Sequence, residues 1–166
     1  MLLAILLAAT QPAAWAQDAR EPVCVYDGVL AAGAQLNDAR ISVVHDECRQ
    51  RFGWTETQAN RAVAVAMMMF QMMAADRAAR DAGVEPSAID AIRQSFNGAD
   101  VASLGAPGTP VTDAARRTVA RLAQRVAAQG LTGDQATKAR DAVLLQMLVE
   151  NIVADFAREV MPDPAS

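Results

Sequence analysis

The sequence predicts an all-α protein, a bundle of five or six helices held by one structural disulfide. Alanine, the strongest helix former, is the most frequent residue. Glycine and proline cluster between segments in which apolar residues recur every three or four positions, and no segment alternates with the two-residue period of a strand. The 166 residues suffice for one domain with a core and are too few for two comfortable ones.

The N-terminal residues predict export. Residues 1–9 are apolar over the length of a signal-peptide core, Pro12 follows, and Ala14 and Ala16 offer small side chains for cleavage. A buried N-terminal helix is the alternative, but Pro12 and the polar residues 17–20 favour export. We therefore expect a signal peptide over residues 1–16 and a single helical domain over residues 17–166, located in the periplasm or outside the cell.

The two cysteines indicate how the next segment folds. Exported chains meet an oxidising compartment, so Cys24 and Cys48 are expected to form a disulfide. One straight helix between them would separate their Cα atoms by about 36 Å, whereas a disulfide needs about 7 Å or less. The segment must therefore fold back, and Asn37 provides turn and N-cap chemistry near its midpoint. The wide spacing also excludes a Cys-x-x-Cys redox pair.

The first well-marked helices follow Asn37. A helix over residues 38–51 has one apolar face and ends at Gly53. Thr55 and Gln58 form a capping box, with Trp54 as its staple residue, and predict a long helix reaching residue 82 before Gly83. A short helix then follows residues 86–87, and residues 98–111 are expected to form a flexible connection rich in glycine and proline.

The C-terminal part repeats this plan. Thr112 is the expected N-cap of a helix that reaches residue 129, and Gly130 follows it. The staple residue Leu131 and the Thr132–Gln135 box predict a last helix through about Val160. Residues 53–62 and 130–139 therefore align, which suggests two similar helical hairpins. Duplication and coincidence explain this equally well, because the shared residues are common capping devices.

The repeated Thr-x-x-Gln pattern also carries a resemblance. Preceded by Leu131 in one copy and by Trp54 in the other, it resembles the Leu-Thr-x-x-Gln pattern that occurs twice in periplasmic stress chaperones of the Spy and CpxP type. The resemblance implies an exported, all-helical and non-enzymatic protein.

The most unusual segment contains five methionines in residues 67–73. Its apolar residues surround the helix, which favours packing in the core with methionine as adaptable filler. One alternative is an apolar face that binds peptides, formed by Met67, Met68, Met69, Phe70, Met72 and Met73. Another is Cu(I) binding by the thioethers of Met69, Met72 and Met73.

Two further features of the sequence are candidate binding sites. His45 is the single histidine, and with a methionine it could ligate haem, although a partly buried or surface position is the favoured interpretation. Arg117, Arg121 and Arg125 form a row on one helix face. We expect that row to be solvated and paired with acids such as Asp113, with docking of an anion or a partner as the alternative.

Composition and motifs limit the function. A formal charge of −4 argues against a dedicated nucleic-acid binder, and no catalytic motif is present. The longest later uncharged run, residues 62–75, is shorter than the about 20 residues of a membrane span, so none is expected. The leading hypothesis is a non-enzymatic protein that binds proteins or peptides in a chaperone-like or adaptor-like way, without a cofactor and with a homodimer as one arrangement. The alternatives are a methionine-based copper or haem carrier and a small hydrolase.

Overall fold

The computed structural model describes residues 23–33, 37–106 and 108–160. These residues form seven helices joined by turns and contain no strand. The predicted all-α bundle with one disulfide is therefore confirmed. The helices are α1 (Cys24–Ala32), α2 (Asp38–Phe52), α3 (Glu56–Asp81), α4 (Pro86–Gln94), α5 (Gly98–Ser103), α6 (Asp113–Ala128) and α7 (Gly133–Val160). The predicted signal peptide lies outside the described residues.

The long helices α3 and α7 run antiparallel and form the spine of the bundle. Near one end, Arg61 of α3 forms an ion pair with Glu159 of α7. Near the other end, the side-chain amide of Gln135 donates to the carbonyl oxygens of Ala82 and Gly83, at 3.1 and 3.3 Å. The contacts therefore tie the start of each long helix to the end of the other.

The core is divided between the two ends of this spine. One cluster joins α1, α2, the first half of α3 and the end of α7, and it includes Val44, Trp54 and Phe156. The other cluster joins α4, α5, α6, the first half of α7 and the end of α3, and it includes Ile92 and Leu122. Only α3 and α7 contribute buried residues to both clusters, so these two helices connect the halves of the bundle.

The α1–α2 hairpin confirms the fold-back that the cysteines predicted. Cys24 and Cys48 are disulfide-bonded with their Cα atoms 6.1 Å apart. Asn37 caps α2 by accepting a hydrogen bond from the backbone N–H of Arg40 at 2.9 Å. Gly28 lets the two helices approach closely, because a Cβ at that position would lie 2.5 Å from a methyl carbon of Val44.

Two similar helical hairpins are present, as predicted. The α2–α3 hairpin joins helices of 15 and 26 residues, and the α6–α7 hairpin joins helices of 16 and 28 residues. Gly53 and Gly130 adopt positive φ angles of 67° and 72° between the two helices of each hairpin. The capping box of Thr55 and Gln58 is formed, whereas Gln135 of the second hairpin donates across to the end of α3.

The predicted flexible connection over residues 98–111 is wrong in its first part, which forms α5. Asn97 is the N-cap of α5 and forms a capping box with Asp100. Val101 is buried, and the side chain of Asn151 on α7 donates to the carbonyl of Gly105 at 3.1 Å. The connection is therefore anchored to α7, and α5 raises the helix count above the expected five or six.

Candidate protein-binding surface on α3

The methionines of α3 follow the favoured core-packing interpretation only in part, because Met68 and Met69 are partly buried against the core whereas two others are exposed. Met67 and Met73 are 49% and 43% exposed. The other members of the predicted apolar face are half-buried, namely Met68, Met69, Phe70 and Met72. The structure therefore keeps open the apolar face that the sequence allowed as an alternative.

The reason is that α3 packs against its neighbours through small side chains. Its buried residues are four alanines and one valine: Ala59, Ala62, Val65, Ala66 and Ala79. Small residues let two helices approach closely, since the distance between helix axes depends on the side chains at the contact. The larger apolar side chains therefore lie on the flanks and on the outside of α3.

One set of exposed residues runs along the outside of α3, and we call it the outer stripe. Its members recur in steps of three and four residues and are all exposed: Thr57, Asn60, Ala64, Met67, Gln71 and Ala74. This spacing is the one by which a helix presents a single seam to another helix. The stripe contains no charged side chain, so it is an uncharged strip about five helical turns long.

Helix α1 supports one flank of the stripe. The ring of Tyr26 lies 4.9 Å from the ring of Phe70, and the Tyr26 hydroxyl donates to the sulfur of Met73. The disulfide fixes the start of α1 two residues before Tyr26. Beside this contact, a shallow depression of about 350 Å³ is lined by residues that include Phe70, Met73 and Arg77. The disulfide-linked hairpin therefore holds the large side chains of this flank in place.

Charges lie at the two ends of the stripe. The side chain of Glu56 is 65% exposed at the start of α3. Arg77 is exposed near its end, and within the described residues it forms no ion pair. Two other charges of α3 are directed towards α7, because Arg61 pairs with Glu159 and Asp76 accepts a hydrogen bond from Gln146 at 3.1 Å. Burial raises the pKa of Asp76 above its ordinary value of 3.8, and the bond from Gln146 offsets part of that shift.

The composition of α3 also meets the length and hydropathy requirements of a membrane span. Among the described residues it is the one helix that does so, and 22% of its most apolar window is buried. The absence of a membrane span, which the sequence led us to expect, therefore stays a prediction.

His45 lies among charged groups and away from the methionines. It is buried, with Nδ1 3.0 Å from a carboxylate oxygen of Asp46 and Nε2 3.7 Å from one of Glu56. Met69 is 13 positions beyond Glu56, which is about 20 Å along an α-helix. The described residues contain no group of three His, Cys, Asp or Glu side chains that could hold a metal ion. The geometry thus offers no support for a haem site that combines His45 with a methionine.

The arginine row on α6 is exposed, and within the part of the chain that the structure describes its middle member alone pairs with another helix. Arg121 pairs with Asp100 of α5, and its guanidinium lies 5.8 Å from the ring centroid of Phe96. The sequence suggested that Asp113 pairs with Arg117, but Asp113 pairs with Arg116 instead. In the described part of the chain, Arg117 and Arg125 form no ion pair. The ion pair of Arg121 with Asp100 links α6 to α5, and its hydrogen bond lowers the pKa of Asp100.

Sequence reasoning missed the support from Tyr26 and the inner face of α3. The first is a contact between residues 44 positions apart, which no local pattern reports. The second was visible, because Ala59, Ala62 and Ala66 recur at helical spacing and are typical of a close helix contact. Comparisons with protein-family models, curated proteins and solved structures find no match.

Proposed function

We propose that this protein is exported and non-enzymatic, and that it binds apolar segments of other proteins on the outer stripe of α3, in a chaperone-like or adaptor-like way. The observation that carries the proposal is an uncharged, exposed stripe from Thr57 to Ala74 on a helix that is held at both ends by α7. Three of its six members are apolar, namely Ala64, Met67 and Ala74, and the exposed Met73 lies beside it. Exposed apolar patches are typical of interaction surfaces.

The chemistry of the stripe suits partners of varied sequence. Met67 in the stripe and Met73 on its flank have unbranched, polarizable side chains that adapt to different apolar surfaces. Gln71 and Asn60 add polar groups that can bond to a partner's backbone. A surface of this composition favours modest affinity for many segments over tight recognition of one.

A protein partner is favoured over a lipid bilayer. If α3 crossed a membrane with its present neighbours, α7 would enter it too, together with the Arg61–Glu159 ion pair and other charged residues such as Lys138 and Glu150. Charged side chains at the centre of a bilayer cost at least about 2.5 kcal/mol each. The packed arrangement of α3 therefore fits a surface helix better than a spanning one.

The test uses a charge placed at the centre of the stripe. Met67→Glu should lower binding of a fluorescent, unfolded client protein, and suppression of its aggregation, by at least about tenfold, because the carboxylate would lose its hydration. Val119→Glu is the matched control, since Val119 is also an exposed apolar residue, 37% exposed on α6. Both variants should keep the wild-type circular dichroism spectrum.

The possible results separate the proposal from its rivals. Equal client binding by the wild type and Met67→Glu would show that the stripe is not the site. Flotation of the wild-type protein with liposomes, without client binding, would indicate a membrane surface and overturn the proposal.

A further inference from the structure

We propose that a second copy of this chain also occupies the outer stripe, with the two α3 helices antiparallel, so that homodimer formation covers the client-binding surface. The inference rests on the proposed function in one respect, because both use the same stripe. Two observations carry it. The members of the stripe have the spacing of a helix–helix seam, and Glu56 and Arg77 place opposite charges at its two ends.

The spacing is that of a coiled-coil seam. In heptad notation, the positions called a are Thr57, Ala64 and Gln71, and the positions called d are Asn60, Met67 and Ala74. All six are exposed, and the structure packs the opposite side of α3 against the bundle. An antiparallel pair places each a residue opposite a d residue of the other helix, so α3 presents a complete seam to a second helix.

One register makes this seam complementary to itself. When the two-fold axis passes between Ala64 and Met67, Ala64 faces the partner's Met67, which pairs a small side chain with a large one. Asn60 then faces the partner's Gln71, and the two amides can exchange hydrogen bonds. Two-fold symmetry repeats each contact, as in the isologous interface of a C2 dimer.

The flank of the stripe selects the same register. Glu56, Val63, Phe70 and Arg77 are spaced by seven residues and lie along one side of the seam. In an antiparallel pair this side faces its own copy, so Glu56 meets the partner's Arg77 and Val63 meets the partner's Phe70. If the partner helix were shifted by seven residues towards the C-terminus, Arg77 would lie opposite the partner's Val63 and no longer opposite the partner's Glu56. Charge complementarity therefore favours the register that the seam favours.

Both charges at the ends of the stripe are exposed in the free chain. Glu56 is 65% exposed and forms an ion pair with Arg49, whose Nη1 lies 3.6 Å from a carboxylate oxygen. An exposed ion pair contributes little stability, so the partner's Arg77 can compete with Arg49 for Glu56. Arg77 has no ion pair within the described residues. The seam from Thr57 to Ala74 is about 27 Å long. One helix pair of this length is at the lower end of stable interfaces, which bury about 800 Å² per partner. The dimer should therefore be reversible, and a client segment can displace the second copy.

The experiment is sedimentation velocity over a wide range of protein concentration, with a charge exchange. E56R and R77E should each weaken dimerisation by about tenfold or more, because each creates two like-charge contacts per dimer. The double variant E56R/R77E should restore the wild-type dimerisation constant within about threefold. R117E on α6 is the control and should leave the constant unchanged. A monomeric wild type at every concentration, or a double variant no better than the single ones, would overturn the proposal.

A measurement without substitution supports the same test. The wild-type rate of Met67 oxidation by dilute peroxide should fall as the protein concentration rises through the dimerisation constant, since the seam covers Met67. A rate independent of concentration, in a protein that sediments as a dimer, would place the dimer interface elsewhere and overturn the proposal.

Client binding then separates this inference from the proposed function. A chain that binds the client but never dimerises would remove only the dimer, and a dimer that binds no client would remove only the proposed function. If the protein both dimerises and binds the client, added client should dissociate the dimer. A client that binds without dissociating the dimer would show that the stripe is not shared, which contradicts this inference.

Discussion

The two long helices are alike in length, with 26 and 28 residues, yet they use their apolar residues in opposite ways. Helix α7 buries Met147 and Phe156 completely and lies between the other helices. Helix α3 buries alanines and valine and leaves Met67 about half exposed. An apolar helix therefore need not be buried on all sides, since the small side chains of α3 make the close contact and leave Met67 and Met73 exposed.

Truncation of one methionine on each long helix tests whether the two helices differ in burial. Met147→Ala should lower the free energy of unfolding by about 2–5 kcal/mol, because it removes buried volume and leaves a cavity. Met67→Ala should change it by no more than about 0.5 kcal/mol, as at most surface sites. Urea unfolding followed by circular dichroism measures both values, and equal losses for the two variants would mean that α3 is covered in solution.

The disulfide gives the next largest effect. Replacing both Cys24 and Cys48 by serine should lower the free energy of unfolding by about 3 kcal/mol, since the unfolded chain gains loop freedom. The same variant should loosen α1 and release Tyr26 from Phe70, so hydrogen exchange in α1 should accelerate more than in α6. Uniform acceleration in both helices would show that the disulfide does not act through the flank of the stripe.

Methionine oxidation compares the two helices without any substitution. In dilute peroxide at low protein concentration, Met67 and Met73 should form sulfoxides well before Met147, because reaction requires solvent access to the sulfur. Peptide mass spectrometry follows each site in the same sample. Protection of Met67 and Met73 equal to that of Met147 would contradict the exposed stripe, and the buried Met147 serves as the internal control.

Local chemistry explains which parts of the structure the sequence could predict. The starts of α2 and α3 were predictable, because Asn37 and Thr55 cap their helices through bonds to residues three positions away. Helix α5 was missed because Asn97, which follows one helix, also begins the next. The exposure of Met67 was missed for another reason: the side of α3 that is covered depends on α7, which lies far along the chain.

The smallest expected effect concerns the acid that α3 directs towards α7. Burial raises the pKa of Asp76 in the folded state, so the native protein holds this proton more strongly than the unfolded chain. Stability therefore falls as pH rises from the ordinary carboxyl value of 3.8 through the raised pKa, and above that range the loss of stability is complete.

The substitution Asp76→Asn removes this loss of stability and keeps a side-chain oxygen that can accept a hydrogen bond from Gln146. The variant should melt slightly above wild type at pH 7 and equal it near about pH 3. Asp27→Asn on α1 is the control for deleting an exposed acid, and a pH-independent gain at Asp76 would mean that burial of its charge is not the cause.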